Sequence, residues 1–270
     1  MTKQANKGRH QPLWHANAER ERLDDAISDT CDVVVIGGGV AGASVTYHAA
    51  SRGLDVVLLE ARELAARASG RNDGQILLGL GEHYNRLVSQ WGNVEARALW
   101  RFIDENHEDM LAVIEDEGLA CAAIRAGGLR LAEAETEARE LRESAELLAA
   151  EGVAARYLDA AEVEAALPLS RGFVAGLFLE REAIFDPLRF VVELTQRARS
   201  KGARVRERAE VVRIEGEAGA FELNCSDGSS IEARTIVHAT SALAPNLDRS
   251  GFLARTVFPF RGQILATHRL

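Results

Sequence analysis

Residues 32–60 read DVVVIGGGVAGASVTYHAASRGLDVVLLE. Val33 to Ile36 form an unbroken β-branched run, the pattern of a strand buried on both faces. Gly37, Gly39 and Gly42 follow as G-x-G-x-x-G, and Ala43 to Ser51 are mostly small or apolar, as a helix requires. Gly53 can end that helix in left-handed geometry. Val56 to Leu59 make a second apolar strand, closed by Glu60. The order strand, glycine loop, helix, strand, acid predicts a compact βαβ unit with a dinucleotide fingerprint.

Each residue of the fingerprint has a physical task. Gly37 permits the tight turn out of the strand, Gly39 lets a pyrophosphate approach the backbone, and Gly42 lets the helix pack close to the strands. The helix N-terminus offers unpaired N–H groups and partial positive charge to phosphates. Glu60 can accept charge-assisted hydrogen bonds from a ribose diol, and its charge disfavours a 2′-phosphate. A glycine-rich turn without a ligand is the alternative. The fingerprint does not separate FAD from NAD, which share the ADP half.

Outward from this unit, 270 residues are enough for a sizeable core and two domains. The hydrophobic fraction, 47%, is that of an ordinary globular protein. A net charge of −9 argues against nucleic acid or an anionic membrane as the main partner. Cys31, Cys121 and Cys225 are widely spaced and form no C-x-x-C, which fits free thiols in a reducing compartment and points to no metal site or catalytic thiol. No apolar run reaches the roughly 18 residues that span a bilayer, and the N-terminus lacks a signal-peptide core. A cytoplasmic location is the default expectation.

Residues 1–28 are polar apart from Pro12, Leu13 and Trp14, and read as an extended arm on the body with its first ten or so residues disordered. After the βαβ unit, small and hydrogen-bonding residues cluster from Ser69 to Gln75, in a loop that either approaches a ligand or lies plainly on the surface. From Tyr84 to Glu117 the apolar spacing is helical, carried by Leu99, Phe102, Ile103, Met110, Val113 and Ile114, with a division at Gly92–Asn93 and with Trp91 and Trp100 as packing residues. Short strands are expected within Cys121–Leu131, and helices over Glu133–Glu151 and Asp159–Ala166. A strand is expected over Gly172–Glu180, and a helix opens at Asp186–Pro187. Strands follow at Arg204–Arg208, Glu210–Glu215, Ala220–Cys225, Ser230–Ala233 and Thr235–Ala239, the last returning to the first sheet, and Val257–His268 opens a further sheet. The fold class is α/β: a Rossmann-type nucleotide domain (29–82 and 187–247) interleaved with an incomplete α+β substrate or cap domain (83–186 and 248–270).

SGRNDGQ, taken with DVVVIGGGVAG, LLEARE, REAIFDP, TIVHAT and FPFRGQILAT, resembles the FAD-dependent D-amino-acid-oxidase-like superfamily, and within it the γ-glutamylputrescine oxidase-type branch. The resemblance runs from about residue 12 onward. It implies that Gly37, Gly39 and Gly42 hold the FAD pyrophosphate, that Glu60 holds the adenosine ribose, and that Ala61 and Arg62 lie near the adenine. Ser69 and Gly70 would sit against the pyrophosphate and ribityl chain, with Arg71, Asn72, Gly74 and Gln75 along the isoalloxazine side. Val211 would meet the adenine through its backbone, and Thr240 would lie near the nucleotide. The implied chemistry is oxidation of the C–N bond of an amine or amino acid by hydride transfer to flavin N5, with dioxygen as the electron acceptor. No catalytic acid or base is identified, and Gln75 and His83 are pocket candidates only.

Three departures from the family pattern stand out. Asp73 replaces a glycine of the usual Asn-Gly-Gly, Ser241 stands where many relatives carry glycine, and relatives continue well past the position of Leu270. The expected strand near Val257 would therefore have an unpaired edge: it is covered by an oligomer, strand exchange between copies or a second subunit, or the chain is a truncated product with weakened flavin binding. Two further readings stay open: a flavin-binding module without catalytic competence by itself, and an NAD-linked dehydrogenase.

Overall fold

The β-branched run does form a strand: β1 spans Thr30–Ile36, followed by α1 (Val40–Ser51) and β2 (Val56–Glu60). β1 and β2 are parallel, with Val33 to Ile36 opposite Val56 to Leu59. The computed structural model describes residues 12–17, 21–168, 171–248, 250–260, 262–264 and 266. They divide into two units, one holding the described residues up to Asp73, Leu119–Cys121 and those from Asp186 on, the other Gly74–Gly118 and Ala122–Phe185. The second unit opens at Gly74, and residues after 247 fall in the first, whereas the pattern above sets those boundaries at 83 and 248.

The second unit begins with β3 (Gln75–Ile76), α2 (Tyr84–Trp91) and α3 (Asn93–Asp116), the two helices divided at Gly92. β4 (Gly128–Ala132), α4 (Glu135–Ala150), β5 (Ala155–Asp159), α5 (Ala160–Ala166), β6 (Ala175–Leu179) and β7 (Ala183–Ile184) follow. β6 is the middle strand of an antiparallel sheet ordered β4-β6-β5, and β3 pairs with β7. The core gathers Leu87, Trp100, Leu141, Leu148, Leu177 and Leu179 among others. Phe102 is 69% exposed and Trp91 46% exposed, contrary to the expected packing roles. The buried face of α3 runs through Ala96, Trp100, His107, Leu111 and Ile114. Phe102, two positions beyond Trp100, is rotated roughly 200° from it and points outward.

The chain returns to the first unit through α6 (Pro187–Ser200), whose N-cap Asp186 accepts the Arg189 amide at 3.0 Å. β8 (Arg204–Glu207), β9 (Val211–Glu217), β10 (Ala220–Cys225), β11 (Ser230–His238) and α7 (Phe252–Thr256) complete it. The six-stranded sheet is ordered β8-β2-β1-β11-β10-β9. β11 is one unbroken strand where two short ones are expected, because its first half pairs antiparallel with β10 and its second half parallel with β1. α1 and α6 bury Ala43, Thr46, Tyr47, Leu188, Val191 and Leu194. Side chains of β1, β2 and β9 to β11 share one core cluster.

The expected strand from Val257 is not formed among the described residues: the chain leaves α7 without a pairing partner, and strands exist only as pairs. Phe258 and Phe260 are 81% and 91% exposed there. The His268 end of that stretch, and the first eleven residues expected to be disordered, lie outside the described residues. The described part of the arm is not wholly extended, since Trp14–Asn17 form a 3₁₀ turn.

Candidate functional site

The glycine loop is built by contact, not by composition. Gly37 has φ +108°, and a Cβ there would lie 2.6 Å from the Ala239 carbonyl oxygen at the end of β11. A Cβ on Gly42 would overlap the Gly37 carbonyl oxygen, so α1 packs against the loop as tightly as the backbone allows. Gly39 is the N-cap of α1 and supplies no side-chain acceptor. That acceptor comes from far along the chain, where Ser69 Oγ takes the Val40 amide at 2.9 Å. Ser69 is thus seated at the helix N-terminus, and Val40 and Ala41 beside it are exposed. The first turn of a helix carries amides that no intrahelical carbonyl accepts; here Ser69 takes that of Val40 and the turn lies at an exposed surface.

Glu60, half-buried at the end of β2, accepts the Gly38 amide through Oε2 (2.6 Å) and the Arg62 amide through Oε1 (2.8 Å). A carboxylate oxygen has a second acceptor site, so both oxygens retain capacity for a diol. The turn behind it closes on the same loop: the Ala65 amide donates to the Gly38 carbonyl at 2.8 Å, with Ala65 in the left-handed region at φ +54°. Ala61 and Arg62 are exposed. The Arg208 and Ala209 amides donate to the Arg62 and Glu60 carbonyls, both at 2.9 Å, which brings the entry of β9 and buried Val211 beside the acid. Thr240 follows β11, next to Gly37, and its Oγ1 is buried with no hydrogen-bond partner among the described residues.

Glu207 is absent from the expectations above and belongs to this region. It is 0% exposed and lies opposite Glu60 in the β2–β8 register. Its Oε1 accepts the Leu64 amide at 2.6 Å and its Oε2 the Leu23 amide at 2.9 Å. The alternation Arg204-Val205-Arg206-Glu207 puts Glu207 on the buried face of Val205, which is the one local signal that could have found it.

In the following loop, Ala68–Gly70 make a 3₁₀ turn. Asn72 Nδ2 donates to the Ala68 and Ser69 carbonyls at 3.2 and 3.1 Å, so its side chain braces its own loop. The Asn72 carbonyl accepts the Trp14 indole N–H at 2.8 Å. Arg71 and Asp73 are exposed. Gly74, Gln75 and His83 fall in the second unit: Gly74 is buried, Gln75 is exposed in β3, and His83 is half-buried, with burial and then Arg86 pushing its imidazole pKa down. That unit also buries Glu182, which pairs with Arg130 at 2.6 Å and accepts the Leu78 amide at 2.7 Å. No group of three or more His, Cys, Asp or Glu able to hold a metal occurs among the described residues, and none of their helices is long and apolar enough to cross a membrane.

Comparison with known proteins points the same way. The family model described as DAO, FAD dependent oxidoreductase, matches residues 32–270. Gamma-glutamylputrescine oxidoreductase of Escherichia coli (strain K12) is 29% identical over 260 residues, covering 95% of this chain and 60% of that protein. Glycine oxidase of Bacillus licheniformis is 26% identical over 238 residues, covering 87% and 60%. The crystal structure of glycine oxidase from Geobacillus kaustophilus superposes with a TM-score of 0.65 at 23% identity, over 85% of this chain and 59% of that one. The chain therefore spans about 60% of the length of the curated relatives it matches. The family's cofactor is FAD, and the residues present fit its ADP half: a glycine turn without side chains, an acid with acceptor capacity to spare, and a buried Thr240 hydroxyl that lacks a partner.

Proposed function

Because the chain belongs to the FAD dependent oxidoreductase family, we propose that it binds FAD and takes part in oxidising the C–N bond of an amine or amino acid. The observation that carries this reading is the arrangement of Glu60, held by the Gly38 and Arg62 amides, beside a glycine turn and the unpartnered Thr240 hydroxyl. FAD supplies a two-electron acceptor at N5. The first-turn amides of α1 other than that of Val40, which Ser69 holds, would face the pyrophosphate, Glu60 would accept the adenosine ribose hydroxyls, and Thr240 would donate to the nucleotide. Gly37, Gly39, Gly42, Ala61, Arg62, Ser69, Gly70, Arg71, Asn72 and Val211 make up the rest of the cofactor assignment in this unit.

In the proposed reaction the substrate C–H leaves as hydride and the amine nitrogen loses a proton. The resulting imine is hydrolysed by water to a carbonyl compound and free amine or ammonia. Dioxygen takes up the two electrons with two protons and becomes hydrogen peroxide. The substrate class is supported by the relatives' names, a putrescine derivative and glycine. Gln75 and His83 are the substrate-pocket candidates of the second unit, and the lowered pKa of His83 favours a neutral imidazole there. The buried free thiols of Cys31 and Cys225 support a reducing, cytoplasmic setting.

The test is anaerobic mixing of the FAD-loaded chain with a panel of amines and amino acids. Bleaching of the bound flavin by one of them is the expected result. A chain that takes up no FAD on reconstitution overturns the reading. A second reading is favoured by Phe258, Phe260 and Ile264, exposed by 81%, 91% and 60%. Exposed large apolar side chains gathered in one short stretch mark a contact surface, and on this reading the chain is a flavin-binding subunit whose site a partner completes. Bound FAD that no substrate reduces supports this second reading.

A further inference from the structure

We propose that the described residues 14–17 and 21–25 of the N-terminal arm are part of the cofactor site, and that Trp14 is a positioning residue for the loop over residues 68–73; the inference rests on the FAD reading above. The arm is tied to both loops that carry the cofactor candidates. At one end the Trp14 indole N–H donates to the Asn72 carbonyl at 2.8 Å. Beside it His15 packs so closely on the same loop that a Cβ on Gly70 would lie 2.8 Å from His15 Nε2. At the other end the Leu23 amide donates to Glu207 Oε2, while Glu207 Oε1 holds Leu64 in the turn behind Glu60. Asp25 then anchors the arm to α6 through Arg199 and to β8 through the Val205 amide at 2.9 Å.

These ties have a mechanical consequence. Among the described residues the 68–73 loop has no sheet partner; it is braced by the Asn72 side-chain bonds to Ala68 and Ser69, by the Arg71 and Gly70 amides donating to the Ala68 and Arg67 carbonyls at 3.2 and 3.1 Å, and by the packing of Ala68–Gly70 on α6. Ser69 must stand at a fixed place to cap α1 at Val40. Trp14 supplies the tie from outside that holds the far end of the loop, so the arm sets where Ser69 and Asn72 stand relative to the helix N-terminus. Loops of few internal bonds open locally at low free energy, and one outside tie shifts that opening substantially.

The experiment compares Trp14→Phe with the unaltered full chain. Phenylalanine keeps an aromatic ring and removes the one donor. FAD is expected to bind roughly tenfold more weakly, the scale of one hydrogen bond, while AMP, which lacks the ribityl and flavin parts, binds as before. In the apoprotein, amide hydrogen exchange across 68–73 is expected to rise without a change in the melting temperature. Unchanged FAD affinity and unchanged exchange in Trp14→Phe overturn the inference, whatever Glu60→Ala does. Weakened FAD binding in Trp14→Phe alongside unchanged binding in Glu60→Ala keeps the arm's role and overturns the ribose assignment of Glu60.

Discussion

Glu60 and Glu207 face each other across the β2–β8 register, and each binds two backbone amides through its carboxylate. Their roles diverge with burial. Glu207 is sealed and joins three remote segments, whereas Glu60 is half-buried at the mouth of the glycine loop. One acid holds the frame and the other is available to a ligand.

Glu60→Ala is expected to weaken FAD binding by roughly 1.5–3 kcal/mol, the range for hydrogen bonds to a charged group. A fluorescence titration of the apoprotein measures it. Affinity equal to that of the unaltered chain would sink the ribose role.

Glu207→Gln acts on the fold instead. The new amide group turns a donor toward the Leu64 or Leu23 N–H, leaving a buried donor unsatisfied at a cost of about 1–3 kcal/mol. Urea denaturation of the apoprotein should show the midpoint falling. A midpoint within error of the unaltered protein would show that neither amide depends on the carboxylate.

Ser241 sits at φ +50°, in the region that L side chains avoid. The left-handed conformation costs a non-glycine residue roughly 1–2 kcal/mol, and glycine loses about 0.5–1 kcal/mol more in chain entropy on folding. Ser241→Gly is therefore expected to stabilise the protein by up to about 1 kcal/mol. A lowered melting temperature would contradict that balance.

Glu108 is held at a pKa of about 2, below its ordinary 4.5, chiefly by its hydrogen bond to Arg125 and also by Arg181, against the opposing effect of burial. A carboxyl depressed in the folded state contributes stability that is fully present above the unfolded value and is lost as pH falls through the folded one. The second unit should lose stability between about pH 4.5 and pH 2. Replacing Glu108 with Gln should flatten that part of the stability–pH curve. An unchanged slope would rule out Glu108 as its source.

The parts of this fold legible in the sequence are those set by neighbours in the chain. The glycine spacing, the acid closing β2, and the Asp186–Pro187 helix start are local signals with local causes. The reading of Ser241 as a departure at a glycine position is explained by its left-handed backbone. What was not legible depends on pairing across distance. β3 and β7 are two-residue strands that exist through each other, and Glu207 gains its role from Leu23 and Leu64. A separation of 58 positions along the chain hides the contact of Trp14 with Asn72. The apolar pattern after Val257 read as a strand for the converse reason: periodicity records a tendency to pair and is silent about whether a partner is there.

The sheet order has a bearing on synthesis. β1 ends at Ile36, but its neighbour β11 starts at Ser230, and the strand flanking β2, β8, starts at Arg204. At roughly 5–20 residues per second, a ribosome delivers β11 on the order of tens of seconds after β1. β1 keeps an open edge throughout that interval and β2 keeps one until β8 is made, while all of the second unit, 74–118 and 122–185, can fold between them. The first unit begins before the second and is completed after it, so in a growing chain its hydrophobic strands are the ones that a chaperone would need to shield.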